Sequence, residues 1–330
     1  MNHSIEVEAA LPETPQKGWR TVSMARETGL MGLTVLLVVL FSVLFPRSFP
    51  TVANLTAILR NLALDGIMAA GMMVMMVGGL FDLSIGGMFS MVGVITGWLL
   101  KEAGVPVPAA ILGGLVTAAL GGLINGWLVA RIRVNALIAT LGTMGIFRGI
   151  AILIGGPGIN FLPPAFAQLG QSVFLGMQTP IWLMLAIVGL YHFLLSRTRL
   201  FRQFYYIGSN QKAAFLSGIN VPGTQMLGFL QMGILAGLSG IVFSSRIGTS
   251  VSIAGDGAEL RIITAVILGG ASLSGGKGTI WGALAGVTFI ALIQNGLIIA
   301  AVSSYWQSII IGLVLVSAVA MDSLFKRERM

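Results

Sequence analysis

Cysteine is absent from the 330-residue chain, which excludes a disulfide framework, thiolate metal sites and a cysteine nucleophile. Histidine is nearly absent: His3, in a polar N-terminal stretch, and His192, in an apolar run, cannot form a familiar metal cluster. Charge is the third shortage, at 9% of residues against roughly 25% in soluble domains. In its place the chain is 56% hydrophobic, which excludes an ordinary soluble fold and indicates an integral membrane protein. Its 45 glycines suit helices packed closely in lipid, where small residues let backbones approach. The 17 methionines, including "MAAGMMVMM" at 68–76, read as adaptable packing.

A net charge of +8 raises the question of nucleic acid. The basic residues are scattered through short loops and form no continuous face that could track a phosphate backbone, so no nucleic-acid partner is expected. Residues 1–28 are polar without an apolar core and read as a disordered cytoplasmic tail, followed by a membrane domain over 29–322 and a basic cytoplasmic C-terminus at 323–330. A spanning helix needs about 20 apolar residues. On that measure the expected architecture is all-α and polytopic, a bundle of about ten transmembrane helices at 29–45, 62–80, 84–100, 105–130, 134–155, 179–196, 224–245, 260–273, 279–300 and 304–321. Segment 260–273 is short enough to be partial or re-entrant. With both termini inside, the inside loops hold most of the Lys and Arg, and the outside regions hold Arg47, Arg60, Lys101 and Arg246, as the positive-inside rule requires. Residues 51–61 have helical apolar spacing and are expected along the outer interface. The Pro- and Gly-rich stretch 155–178 is expected to be a partly ordered outer loop.

"GGASLSGGKGTIWG" at 269–282 looks at first like a phosphate loop. That pattern needs Gly, four residues, then Gly-Lys-Ser/Thr, but Ala271 and Gly278 stand at two of the anchor positions. The chain is therefore expected to bind no nucleotide and no cofactor of its own. The same stretch resembles "GGLFDLSIGG" at 78–87, a hint of internal duplication of the kind that underlies transporter folds. Charges at membrane depth normally face a cavity or a partner. Asp65 and Arg148 both fall toward the outer side, so an Asp65–Arg148 pair is expected, with lining of the substrate path and snorkelling to the interface as the alternatives, and Asp82 is expected to cap the helix starting near Ser84. In the long basic loop 197–223, "NQKAAFLSGI" has the spacing of a short surface helix punctuated by Gly208 and Gly218. From spacing alone, that loop could equally serve only to orient the chain.

The motifs "GLFDLSIGG", "NALIATLGTMGIFRGI", "IGSNQKAAFLSGI" and "GDGAELRIITAVILGGASLSGGKGTIWGALAG", in this order, resemble the ribose-type sugar permease family of ABC importers, whose solutes are pentoses, hexoses or molecules like autoinducer-2. The likeness covers roughly residues 50–322. It implies a permease subunit in a bacterial inner membrane that pairs with a second permease subunit, identical or paralogous. It further implies an extracytoplasmic solute-binding protein and separate cytoplasmic ATPase subunits that carry the ATP and Mg. Gly208, Asn210, Ala213, Ala214, Ser217 and Gly218 match the element that docks on the ATPase. Here Lys212 stands where the family commonly has an acidic residue, and Arg261 where an acidic residue usually follows Glu-Leu. A sugar pathway needs neutral hydrogen-bonding groups and some aromatic surface, for which Asn125, Thr140, Thr143, Phe147, Gln294 and Asn295 are candidates. Arg47, Arg60 and Arg246 are candidates for docking the binding protein. The rival readings are a permease of the same architecture for nucleosides or other small polar solutes, and an ion-coupled transporter using Asp65.

Overall fold

The computed structural model describes residues 16–327. Among these it contains α1 (Gln16–Leu44), α2 (Val52–Val77), α3 (Ile85–Lys101), α4 (Val107–Ala130), α5 (Ala136–Gly155) and α6 (Pro164–Gln171). A two-stranded antiparallel hairpin follows, β1 (Val173–Phe174) and β2 (Met177–Gln178). The chain continues through α7 (Thr179–Arg197), α8 (Arg199–Ser209), α9 (Gln211–Leu216), α10 (Val221–Ile247), α11 (Ala258–Leu268), α12 (Ile280–Ile299) and α13 (Ser304–Arg327). Every expected span coincides with a helix. Six of them, α2, α4, α5, α7, α10 and α12, are long and apolar enough to cross a membrane, while α3 and the apolar parts of α1 and α13 are shorter. With 11 residues, α11 is about 16 Å long at 1.5 Å per residue, roughly half a hydrocarbon core of about 30 Å. The expectation of a short segment there is met, and length alone does not make ten full spans.

Two expectations change, and the partly ordered outer loop gains detail. Residues 52–61 are not a separate interfacial helix but the first turns of α2, because Thr51 caps the helix through Asn54 N–H and nothing breaks it afterwards. The stretch 156–178 is ordered by α6, by the hairpin, and by a bridge between Ile159 and Ser250. Helix α1 begins at Gln16, inside the expected tail; residues 1–15 of that tail, and 328–330 of the C-terminus, lie outside the described residues.

Helix α2 is the centre of the bundle, enclosed by α7, α10, α11 and α12, and α10 packs in turn on α3, α4 and α6. From Leu62 to Val77 every residue of α2 is buried, and Met68, Met72, Met73, Met75 and Met76 are completely enclosed. Unbranched thioether side chains fill the irregular space between helices crossing at different angles. Glycine brings α4 and α10 into backbone contact: a Cβ at Gly122 would stand 2.5 Å from the carbonyl oxygen of Phe229, and one at Gly233 2.6 Å from that of Ala118.

The two glycine-rich turns have the same backbone. At the end of α2, Gly78 N donates to Val74 O, Gly79 N to Met76 O and Leu80 N to Met75 O; at the end of α11, Gly269 N donates to Ala265 O, Gly270 N to Ile267 O and Ala271 N to Val266 O. Gly79 and Gly270 take φ of +74° and +95°, the left-handed conformation that ends a helix and favours glycine. Each turn leads into another apolar helix, α3 and α12, so the likeness seen in sequence extends to hydrogen-bond pattern.

Candidate functional site

The first turn is held by a polar cluster. Asp82 is buried, and its carboxylate accepts from Ser84 N at 2.8 Å and Ser84 Oγ at 2.6 Å, as expected of a residue capping α3. Asn125 Nδ2 donates to Ser84 Oγ at 2.8 Å, so this pathway candidate is a strut between α3 and α4. Thr140 and Thr143 return their hydroxyls to Ala136 O and Ala139 O of their own helix. Phe147 is buried beside Gly87 and Gly121. Within the subunit, none of these four lines the cavity described next.

That cavity, about 210 Å³, lies between α2, α10, α11, α12 and the start of α13, at the end of the bundle opposite α8 and α9. Asn61, Asp65, Arg246, Arg261, Gln294 and Asn295 supply polar groups to its wall, and Phe89 and Phe243 supply rings with centroids 5.4 Å apart. Of the sequence-derived pathway candidates, Gln294 and Asn295 are here. Asn295 exchanges two hydrogen bonds with Asn54, at 2.7 and 3.1 Å, which joins α12 to α2. Arg246 donates through Nη1 to Arg60 O at 3.0 Å and Asn61 Oδ1 at 3.1 Å, and lies over the Phe243 ring. Two of the three docking candidates are therefore neighbours at the cavity rim. The third, Arg47, is exposed in the α1–α2 link.

The expected Asp65–Arg148 pair does not form. Asp65 instead faces Arg261, whose Nε and Nη2 donate to its two carboxylate oxygens at 2.8 and 3.0 Å. Arg148 lies 3.1 Å from Glu259 Oε1 and 3.0 Å from Asp256 Oδ1. The cause is α11, which enters between α2 and α3 with Glu259 and Arg261 on its first turns and so separates the two residues. The signal was in "GDGAELR": three charges at a membrane helix start each need a partner.

At the opposite end, α8 buries Phe201, Phe204 and Ile207 and turns into α9, where Asn210 Oδ1 accepts from Ala213 N at 2.9 Å. Gly218, at φ +83°, reverses the chain toward α10, as expected of a punctuating residue. Ala214 packs with Ile207 and Val221, while Phe215 and Leu216 are 66% and 76% exposed. Gly208 does not separate the helices as expected; it lies inside α8. A Cβ there would run into Val77 O and Gly276 N, and Gly276 N donates to Val77 O at 2.7 Å. Gly79 and Gly275 complete the contact, so both glycine turns meet on α8. Tyr205 of α8 donates its hydroxyl to Gly278 O at 2.7 Å, and burial pushes its phenol up to about 12, keeping it a donor across the physiological range. The loop that resembled a phosphate cradle is thus a packing element with its Gly276 amide engaged.

Comparison with known proteins decides the class. A family model described as the permease component of a branched-chain amino acid transport system matches residues 54–319. The chain belongs to this permease family. It is 35% identical over 295 residues to the Autoinducer 2 import system permease protein LsrC of Shigella flexneri and to that of Escherichia coli O157:H7, covering 88% of this chain and 86% of each relative. It is also 35% identical over 294 residues to the LsrC protein of Salmonella typhimurium, covering 88% of this chain and 84% of that protein. The permease is thus a multi-pass membrane transport protein with ABC-importer relatives, of the ribose type indicated by its motifs.

Proposed function

We propose that this permease is the membrane subunit of an ATP-driven importer for a sugar or sugar-like solute, and that α8 and α9 receive the push of a separate ATPase. The observation that carries the reading is the meeting of both glycine turns on α8 at Gly208. A displacement of α9 would pass through α8 to the ends of α2 and α11, the two helices whose other ends hold the polar cavity. Coupling over such a distance needs rigid elements with discrete arrangements, and backbone contacts without side chains between them transmit displacement with little slack. The α8–α9 end would then face the cytoplasm of a bacterial cell and the cavity end the outside, with Arg47 and the Arg60–Arg246 pair available to an acidic binding protein. A second permease subunit would complete the pathway. No step of covalent chemistry is assigned to the chain, and ATP and Mg would belong to the partner.

An ion-coupled transporter would need a carboxylate free to titrate, and Asp65 has both oxygens engaged by Arg261, which disfavours that alternative. Nucleosides or other small polar solutes remain a second reading for the same fold. The test is co-purification with candidate ATPase subunits in mild detergent, comparing the wild type with Phe215→Asp plus Leu216→Asp, two exposed changes that leave the packing of Ala214 alone. Loss of the ATPase from a variant that elutes and melts as the wild type does supports the reading. Equal capture by both chains would remove α9 as the contact.

A further inference from the structure

We propose that the cavity between α2, α10, α11 and α12 is a binding site, within one subunit, for a small neutral solute bearing adjacent hydroxyls. The inference rests on the transport reading and assigns a place and a recognition chemistry to the solute. The volume, about 210 Å³, is far more than a single water needs. The wall offers donors and acceptors together. Among the described residues, Gln294 has no hydrogen-bond partner, Arg261 uses only Nε and Nη2, and the side-chain oxygen of Gln307 is unengaged while its nitrogen donates to Val302 O.

A hydroxyl both donates and accepts a hydrogen bond, so neighbouring hydroxyls match a wall in which amides offer both functions, a carboxylate accepts and a guanidinium donates. An anion needs donors alone and would meet the Asp65 carboxylate in the same wall. The Phe89 and Phe243 rings, tilted at 53° to one another, provide apolar surface for the C–H face of a small ring or chain. Asp65 and Arg261 neutralise each other, and Arg246 keeps its charge at the rim, where it donates to the Arg60 carbonyl and Asn61 and lies over the Phe243 ring.

The absence of cysteine makes the test direct. Ala291 lines the cavity without a polar group, so Ala291→Cys introduces a single reporter thiol. In the full complex in lipid nanodiscs, its reaction with a small water-soluble methanethiosulfonate reagent is timed with D-ribose, D-xylose, ribitol, 1,4-butanediol or sodium sulfate. Leu216→Cys on α9 is the reference thiol. The proposal expects one or more of the three polyols to slow Ala291→Cys labelling about tenfold at ten times its dissociation constant, as mass action requires, with Leu216→Cys unchanged. Adding Gln294→Leu should then raise the polyol concentration needed by roughly tenfold, the loss of about one hydrogen bond. Equal protection by 1,4-butanediol, protection by sulfate alone, protection by no polyol, or a thiol the reagent cannot reach would each overturn it. ATPase capture is read on the same preparation, so loss of the cavity site with the ATPase still bound leaves the importer reading standing. Loss of the ATPase with protection intact does the reverse.

Discussion

The two ends of the bundle are held together by opposite means. At the cavity end, α2, α5 and α11 are joined by charge: Asp65 with Arg261, and Arg148 with Glu259 and Asp256. At the α8 end, the same α2 and α11 are joined by contact between Gly79, Gly208, Gly275 and Gly276, with almost no side chain involved. Ion pairs can separate and re-form in a second arrangement when water enters, whereas close-packed backbone moves as a unit. The difference teaches where motion would be easiest: a bundle close-packed at α8 and held by exchangeable contacts at the other end suits the proposed importer, in which a displacement at α9 opens a distant cavity.

Breaking the stiff end should have the largest effect. Gly208→Val drives a side chain into Val77 O and the Gly276 amide and should destabilise the permease by about 3 kcal/mol or more, at or beyond the usual upper end for overpacking. Gly149→Val meets nothing within 4 Å and should leave the detergent melting profile unchanged. Next comes Asp65→Asn, which leaves Arg261 unpaired. Breaking a fully buried pair costs about 3–5 kcal/mol, and with side chains 11% and 23% exposed the expected loss is about 2–3 kcal/mol. The double change Asp65→Leu plus Arg261→Met should recover most of it, and failure to do so in the same unfolding assay would mean that the pair has a role beyond charge balance. The smallest effect belongs to the rim. Asp256 is 52% exposed, so Asp256→Asn should cost less than about 1 kcal/mol, while Glu259→Gln, at a buried carboxylate, should cost more.

The sequence revealed the helices well and their partners poorly. Apolar length marked a helix at each expected span, six of them long and apolar enough to cross a membrane, and the short segment at 260–273 was recognisable because a run that stops early cannot cross. Asp82 was legible because a carboxylate two residues before a helix cap has a local role, and the end of α9 because Gly218 punctuates it. The pairing of Asp65 was not legible: which cation faces a carboxylate at membrane depth depends on how far α11 inserts, and helical periodicity carries no information about insertion. Gly208 was read as punctuation because nothing local distinguishes a glycine that ends a helix from one that another backbone must approach. Asn61 became a cavity residue only once α2 and α12 were set side by side.

The central claim is that α8 links the α9 surface to the cavity. Its most direct test is the labelling rate of the Ala291→Cys thiol in the ATPase-bound complex, with and without ATP, in the otherwise unaltered chain and with Tyr205→Phe, which removes the bond from α8 to Gly278 O. The account predicts that ATP changes the rate and that Tyr205→Phe reduces the change while ATPase binding stays intact. A rate indifferent to ATP with the ATPase firmly bound would contradict it.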